Sequence, residues 1–220
     1  MNSEYVGSSI GGLATRLSNN VRKRMFLSVM DIAQPDINTK ILDVGVTCDR
    51  RADSNFFEKL YPHSQNIVAV GMEDAAFLEE DFPGLKYIQA DALNLPFSDQ
   101  SFDLVVSFAV IEHVGSRKRQ ALFIKELCRV GRCVCITTPN RWFPIEFHTV
   151  VPIIHWLPSF WFRKILKIFG QDFWSKEENL NLLDESDLKL LFSRSKKIVR
   201  RHHKLFGIVS NLLFYSEQIH

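Results

Sequence analysis

The sequence predicts one α/β domain built on a doubly wound, mostly parallel sheet of seven strands with helices on both faces. Two observations indicate this fold. Short apolar runs alternate with helical patterns over the first 138 residues, and the runs at 104–106 and 133–136 are apolar on both faces, as covered central strands are. The chain has 220 residues and is 46% hydrophobic, which suits one substantial core and is too short for two full-sized domains.

The elements follow in chain order. A helix is predicted over residues 13–33, where apolar residues recur at spacings of three and four. Strand-like runs follow at 40–44, 66–70, 85–89, 102–108 and 133–138, separated by helical patterns at 54–60, 74–80 and 116–130. A helix over 184–192 begins at the N-cap Asp184 with Asp187 in its first turn. A polar strand at 196–205, a turn at Gly207 and a last, antiparallel strand at 212–216 complete the sheet.

Composition excludes several classes of protein. The net charge of +2 lacks the cationic field that dominates nucleic-acid binding, so no nucleic-acid partner is indicated. The four cysteines form no pair of Cys-x-x-Cys motifs, so they predict no metal site. No apolar signal region follows the start and no run reaches the roughly 18 apolar residues of a membrane span, so the expected location is the cytoplasm.

Acidic residues mark the predicted carboxyl ends of the first three strands. Asp43 precedes Gly45 after the first strand, Glu73 and Asp74 follow the second, and Asp91 follows the third. Ligands of doubly wound sheets bind at this edge, where an acid after the second strand accepts hydrogen bonds from ribose hydroxyls and a glycine after the first allows close approach. Acids in register at three strand ends favour a nucleotide-like ligand over separate helix-capping charges.

Four segments carry a resemblance to a known family: ILDVG at 41–45, VGMED at 70–74, QADALNLPFSDQSFDLVVSFAVIEHV at 89–114, and LFGIVSNLLFY at 205–215. They resemble the class I S-adenosylmethionine-dependent methyltransferases, in particular the small bacterial branch related to the ubiquinone and menaquinone C-methyltransferases. The likeness covers about residues 38–138 and 184–216. It implies a Rossmann-like seven-stranded methyltransferase sheet, with S-adenosyl-L-methionine as cofactor and S-adenosyl-L-homocysteine as product.

The resemblance also implies roles for individual residues. Asp43 and Gly45 would flank the methionine part of the cofactor, and Glu73, next to Asp74, would bind both ribose hydroxyls. Asp91 and Ala92 would contact the adenine. Ser107 and Phe108 would line the methionine side of the cofactor.

The loop after the first strand departs from the family pattern. Two further alternate glycines are usual there, and this chain has Thr47 and Asp49 instead. S-adenosylmethionine has no pyrophosphate, so its loop needs glycine less than a dinucleotide loop does. We expect the side chains of Thr47 and Asp49 to replace the lost backbone contacts, with Asp49 facing the ammonium group of the cofactor.

Two histidines are candidates for the catalytic work. His113 follows the fourth strand directly and His148 lies in the next segment, and each is able to take a proton from an acceptor if it lies near the methyl group. A capping or packing role stays open for both, since a lone histidine near a strand end more often serves structure.

We expect a single methyltransferase domain over 1–220, with an N-terminal lid and helix at 1–37, a cofactor-binding core at 38–138, an aromatic helical cap insertion at 139–183 and a C-terminal helix and strand pair at 184–220. The insertion is too aromatic for a solvent loop. It is interpreted as a cap over the active site, a lid that shapes an apolar acceptor pocket, or a peripheral membrane contact.

The function expected from these features is methyl transfer from S-adenosylmethionine to a small-molecule or lipid-like acceptor. A non-catalytic binding protein on the same fold is the alternative. A nicotinamide-dependent oxidoreductase is a third interpretation, which the missing glycines after Gly45 weaken.

Overall fold

The structure is a computed structural model that describes residues 12–51, 54–193, 195 and 197–218, with side chains from residue 19 onward. The predicted N-terminal lid falls largely on residues 1–11 and lies outside the described residues.

A central sheet of eight strands organises the fold. The strands are β1 (Ile41–Val44), β2 (Ile67–Gly71), β3 (Lys86–Gln89), β4 (Phe102–Phe108), β5 (Gly131–Pro139), β6 (Lys197–Arg200), β7 (His203–Leu205) and β8 (Ile208–Glu217). Their order is β3-β2-β1-β4-β5-β8-β6, with β7 paired to β8 outside this path. The first five strands pair in parallel, and β8 runs antiparallel to β5 and β6. The predicted mostly parallel sheet with an antiparallel last strand is confirmed.

The eighth strand arises because the predicted strand at 196–205 divides into two. β6 pairs with the carboxyl-terminal half of β8, whereas β7 pairs with its amino-terminal half. A register shift between His203 and Lys204 accompanies the change of partner position. The β7–β8 hairpin turns at Phe206 and Gly207, both of which have positive φ angles. The last strand is longer than the predicted 212–216 because this hairpin extends it towards its start.

The described part of the chain contains six α-helices: α1 (Gly12–Ala33), α2 (Phe56–Leu60), α3 (Phe77–Asp81), α4 (Arg117–Val130), α5 (Ser159–Ile168) and α6 (Glu185–Leu191). Side chains alternate across β4, so that Val105 packs with α4 and α6 while Leu104 and Val106 pack with α1, α2 and α3. The two layers of helices therefore lie on opposite faces, as predicted. No helix in the described ranges has the length and apolar character needed to cross a bilayer.

The segment between β5 and α6 is the predicted insertion. It contains α5 and a short 3₁₀ turn at Ile154–Trp156, while the rest of it is irregular. A small separate core forms within it, made of Phe162, Leu166, Leu180 and Leu182. Asn181 fixes the end of the insertion to the sheet region, because its N–H donates to the Glu112 carbonyl at 2.8 Å.

Candidate active site

The loop after β1 lies against the segment after β4. Gly45 has a φ of +108°, and a Cβ at this position would lie 2.1 Å from Cγ2 of Val110. The Gly45 N–H donates to the Val70 carbonyl of β2 at 2.8 Å. This close approach brings the ends of β1, β2 and β4 together, and only glycine permits it.

The Asp43 carboxyl group lies beneath this loop and contacts the carboxyl group of Glu58, a contact that the sequence did not predict. Asp43 is 5% exposed and Glu58 of α2 is 2% exposed, so the two carboxyl groups form a buried pair. Burial, and then repulsion from Glu58, raises the pKa of Asp43 well above its ordinary value. The Asp43 carboxyl group therefore lies against that of Glu58, and its place beside the methionine part of the cofactor stays a prediction.

Thr47 and Asp49, which stand where the family usually has glycines, form hydrogen bonds within the loop. The Thr47 N–H donates to Asn55 Oδ1 and the Thr47 carbonyl accepts from Asn55 Nδ2, both at 2.9 Å. The Asp49 carboxylate accepts from Arg51 Nε at 2.6 Å and from Ser54 Oγ at 3.0 Å. Partial burial acts to raise the pKa of Asp49, but the hydrogen bonds from Arg51 outweigh it and lower the pKa. Side-chain hydrogen bonds thus hold the loop, and the Asp49 carboxylate belongs to them.

Glu73 stands exposed at the end of β2 and reaches towards the β1 loop. Its Oε2 accepts from the Cys48 thiol at 2.7 Å, and this hydrogen bond raises the pKa of Cys48. The Tyr87 hydroxyl donates to the Glu73 carbonyl, which fixes the backbone at this point. Asp74 accepts from the Ala76 N–H at 3.0 Å and forms the turn that delays the start of α3 relative to the predicted helix at 74–80.

The ends of β3 and β4 contribute different kinds of surface. Asp91 is exposed, and its Oδ1 accepts from the Leu93 N–H at 2.9 Å in a turn that also contains Ala92. Ser107 is buried, and its hydroxyl donates to the Val44 carbonyl at 2.7 Å, which ties β4 to β1. Phe108 lies edge-on to Phe56 with ring centroids 4.7 Å apart, forming an apolar wall.

Beyond β4, a short 3₁₀ turn carries Glu112 and His113. Glu112 is fully buried and accepts from the Thr138 hydroxyl of β5 at 2.9 Å. Burial raises the pKa of Glu112 to about 7. His113 Nδ1 pairs with the Asn179 carbonyl at 2.7 Å. Burial, followed by the neighbouring His148, lowers the pKa of His113 to about 3, so its imidazole is neutral.

The structure brings His148 from the insertion into contact with His113. The centroids of the two rings lie 4.7 Å apart, and the ring planes are nearly perpendicular. His148 Nδ1 donates to Glu146 Oε1 at 2.7 Å. Burial opposes charge on both partners, but the attraction between them wins, lowering the pKa of Glu146 to about 2 and raising that of His148. The two histidines predicted separately thus form one cluster.

Sequence reasoning missed four side chains of this edge: Cys48, Glu58, Glu112 and Glu146. Two of them had a usable signal, because Glu112 precedes His113 directly and Glu146 lies two residues before His148. The pairing of Glu58 with Asp43 depends on how α2 packs on β1, which no local pattern encodes.

A cavity of about 370 Å³ lies at the opposite ends of the strands, near the amino ends of β4 and β5. Its lining includes Asp103, Arg132 and Glu217. Since ligands of doubly wound sheets bind beyond the carboxyl ends, we place the functional site at the edge described above and not in this cavity.

Comparison with known proteins bears on the class of the protein and on its fold. A family profile described as a methyltransferase domain matches residues 54–133. Demethylmenaquinone methyltransferase from Staphylococcus aureus is 27% identical over 168 residues, which cover 70% of this chain. The match spans 64% of that relative's length.

Solved structures share the fold. Magnesium protoporphyrin IX methyltransferase from Synechocystis PCC 6803, with bound S-adenosylhomocysteine, matches with a TM-score of 0.60 at 12% identity, covering 98% of this chain and 91% of that one. The N-methyltransferase NodS from Bradyrhizobium japonicum, in complex with S-adenosylhomocysteine, matches with a TM-score of 0.56 at 12% identity, covering 90% and 86%.

The sheet order and these matches point to one class of protein. The methyltransferase-domain match over residues 54–133 and the demethylmenaquinone methyltransferase relative support the class I S-adenosylmethionine-dependent methyltransferases as the class that the chain resembles, as the sequence predicts. Within that class, the curated relatives that it matches include demethylmenaquinone methyltransferase from Staphylococcus aureus.

Proposed function

We propose that the protein transfers a methyl group from S-adenosylmethionine to a small-molecule or lipid-like acceptor. The observation that carries the proposal is the Glu73 carboxylate, which stands exposed at the end of β2 and already accepts a hydrogen bond from Cys48. The ribose hydroxyls of the cofactor would replace the thiol as donors to this carboxylate. The exchange requires no burial of an unpaired charge.

The residues at the edge fit the rest of the cofactor. Asp91 and the turn at Ala92 offer polar groups for the adenine, while Phe108 and the loop from Gly45 to Asp49 border the place of the methionine part. When bound, the cofactor supplies an electrophilic methyl group on a sulfonium. The chain contributes a fixed position and orientation for that group relative to the acceptor, which is the main requirement of an in-line displacement.

The acceptor side of the proposal lies beyond β4 and β5. His113 follows β4, and His148 reaches the same place from the insertion, so both catalytic candidates stand on this side. The relative named for demethylmenaquinone and the structural neighbour named for magnesium protoporphyrin IX support a small-molecule acceptor. The non-catalytic alternative keeps the cofactor edge but predicts no methyl transfer.

Contact with a membrane surface belongs to the same proposal, because a lipid-like acceptor would be reached there. α5 and the residues after it expose large apolar side chains, with Phe160 at 69%, Ile168 at 74% and Phe169 at 68%. Lys164 and Lys167 lie among them on the same helix. Apolar side chains interleaved with lysines are typical of segments that lie in a bilayer interface.

Replacing Glu73 tests the cofactor assignment. Glu73→Ala should weaken S-adenosylhomocysteine binding by roughly 1.5 to 3 kcal/mol, the range for hydrogen bonds to a charged group. Titration calorimetry measures the affinity, and urea unfolding checks that stability is unchanged. Glu80→Ala is the matched control, since Glu80 is also exposed but lies on α3 away from the edge.

Equal affinities of wild type and Glu73→Ala would contradict the assignment of the ribose site. A chain that binds S-adenosylhomocysteine but transfers no labelled methyl group to any component of a small-molecule extract would instead support the non-catalytic alternative. The two outcomes are separate, because the first concerns the position of the cofactor and the second concerns the reaction.

A further inference from the structure

Three side chains that can ligate a metal ion converge beyond β4. Glu112, His113 and His148 each offer one ligand atom, and these atoms lie within 4.8 Å of one another. Metal bonds of about 2.0 to 2.2 Å place the ligands of one ion roughly 3 to 3.5 Å apart. Small side-chain rotations would therefore close the three ligands around an ion.

Only one of the two oxygens of the buried Glu112 carboxyl group accepts a hydrogen bond from a described residue. Its Oε2 accepts from the Thr138 hydroxyl, whereas Oε1 accepts no hydrogen bond from any described residue. This oxygen points into the cluster, where it lies 4.0 Å from His113 Nε2. A fully buried oxygen without a donor is costly, and a cation at this point would satisfy it.

The other nitrogens of both imidazoles are held by acceptors. His148 Nδ1 pairs with the Glu146 carboxylate and His113 Nδ1 pairs with the Asn179 carbonyl, each at 2.7 Å. An acceptor at Nδ1 places the proton there and directs the Nε2 lone pair towards the cluster. Metal-ligating histidines are oriented by the same kind of outer hydrogen bond, most strongly when the acceptor is a carboxylate.

From this geometry we propose that Glu112, His113 and His148 form a binding site for a divalent first-row transition-metal ion. Two imidazole nitrogens and one carboxylate oxygen are the ligand set of catalytic zinc and non-haem iron sites. Magnesium and calcium prefer sites made of oxygen ligands alone, so they fit this cluster poorly. The spacing of the cysteines predicted no metal site. The ligands proposed here come from positions 112, 113 and 148, and none of them is a cysteine.

Three protein ligands leave coordination positions open for another molecule. The side chains of His113 and His148 are 19% and 15% exposed, so solvent reaches the cluster. An ion held here would coordinate an acceptor oxygen and favour its deprotonation, the work that a histidine base would otherwise do. This use of the ion rests on the proposed function, whereas binding of the ion does not.

Cobalt binding tests the site without reference to activity. Tag-free protein, first dialysed against a chelator, is titrated with Co²⁺ while visible absorption is recorded, and Zn²⁺ is then added as a competitor. We expect a single Co²⁺ ion per chain with a spectrum of nitrogen and oxygen ligands, which Zn²⁺ displaces. His113→Ala, His148→Ala and Glu112→Gln should each weaken binding at least tenfold, and Glu146→Gln roughly 10- to 100-fold, as expected for an outer partner.

His63→Gln is the matched control, because His63 precedes β2 at the other edge of the sheet and should leave Co²⁺ affinity unchanged. Glu112→Gln keeps the shape of the buried side chain, so a thermal unfolding midpoint near that of wild type separates ligand loss from misfolding. Wild-type protein that binds no Co²⁺, or ligand variants that bind it as wild type does, would overturn the site. A thiolate charge-transfer band would place the ion at a cysteine and also overturn it. S-adenosylhomocysteine affinity, measured separately, reports on the proposed function alone.

Discussion

Acidic residues at the ligand edge have similar sequence contexts but different physical states. Asp43 is buried against Glu58, and moving it towards a ligand would leave a buried carboxyl group without its partner. Glu73 is exposed and accepts a hydrogen bond from the Cys48 thiol, a donor that the ribose hydroxyls would replace under the proposed function. Residue identity at the strand ends is thus similar for Asp43 and Glu73, whereas their burial, which the packing of α2 and the loops determines, differs.

The close approach at Gly45 gives a prediction at the same scale. Gly45→Ala should lower the free energy of unfolding by about 1 to 2 kcal/mol for the positive φ and by a further 1 to 3 kcal/mol for the clash with Val110. Gly207→Ala is the control, because Gly207 has a φ of +82° but no atom within 4 Å of the added Cβ. Urea unfolding compares the two variants. Equal losses would show that Val110 moves aside without cost.

At the scale of the element, sequence patterns predicted what local chemistry determines. The predicted strand at 102–108 coincides with β4, where the apolar run at 104–106 lies between two phenylalanines. The division of 196–205 into β6 and β7 was not predicted, because it depends on which half of β8 each part meets. The meeting of His113 and His148 was not predicted either, since it depends on the path of an irregular segment.

α6 begins at an N-cap that the sequence predicts, and the contribution of this cap to stability is measurable. The Asp184 side chain accepts from the N–H groups of Ser186 and Asp187, and Asp187 accepts from the Asp184 N–H, which is a reciprocal capping box. Asp184 also accepts from Trp142 Nε1 at 3.1 Å, which connects the insertion to the helix. The N-cap predicted from the sequence is confirmed.

Replacing Asp184 separates these two contacts. Asp184→Ala should lower the free energy of unfolding by about 1 to 2 kcal/mol, because the cap is lost. Asp184→Asn should retain most of the stability, since asparagine caps a helix about as well as aspartate. Chemical denaturation followed by circular dichroism measures both variants. Similar losses for Ala and Asn would assign the stability to the Trp142 contact and not to the cap.

At the scale of the whole molecule, the sheet divides the functional surfaces. The carboxyl ends of β1 to β4 present the proposed cofactor groups, and the insertion after β5 contributes His148 to the acceptor side. The same insertion carries α5, whose exposed apolar side chains face away from its small core of Phe162 and Leu166. One segment therefore joins the proposed acceptor side to an outward apolar surface, which is the arrangement that the proposed membrane contact requires.

Vesicle binding tests this arrangement of surfaces. Wild-type protein should sediment with anionic phospholipid vesicles, and the double variant Phe160→Ser/Phe169→Ser should bind at least tenfold more weakly, because two side chains worth roughly 1.5 to 3 kcal/mol each when fully buried no longer enter the bilayer interface. Phe206→Ser is the matched control, since Phe206 is 81% exposed but lies at the β7–β8 turn. Raising the ionic strength should weaken wild-type binding, because Lys164 and Lys167 contribute through the anionic surface. An equal loss in Phe206→Ser, or wild-type protein that stays in the supernatant, would contradict membrane contact through α5.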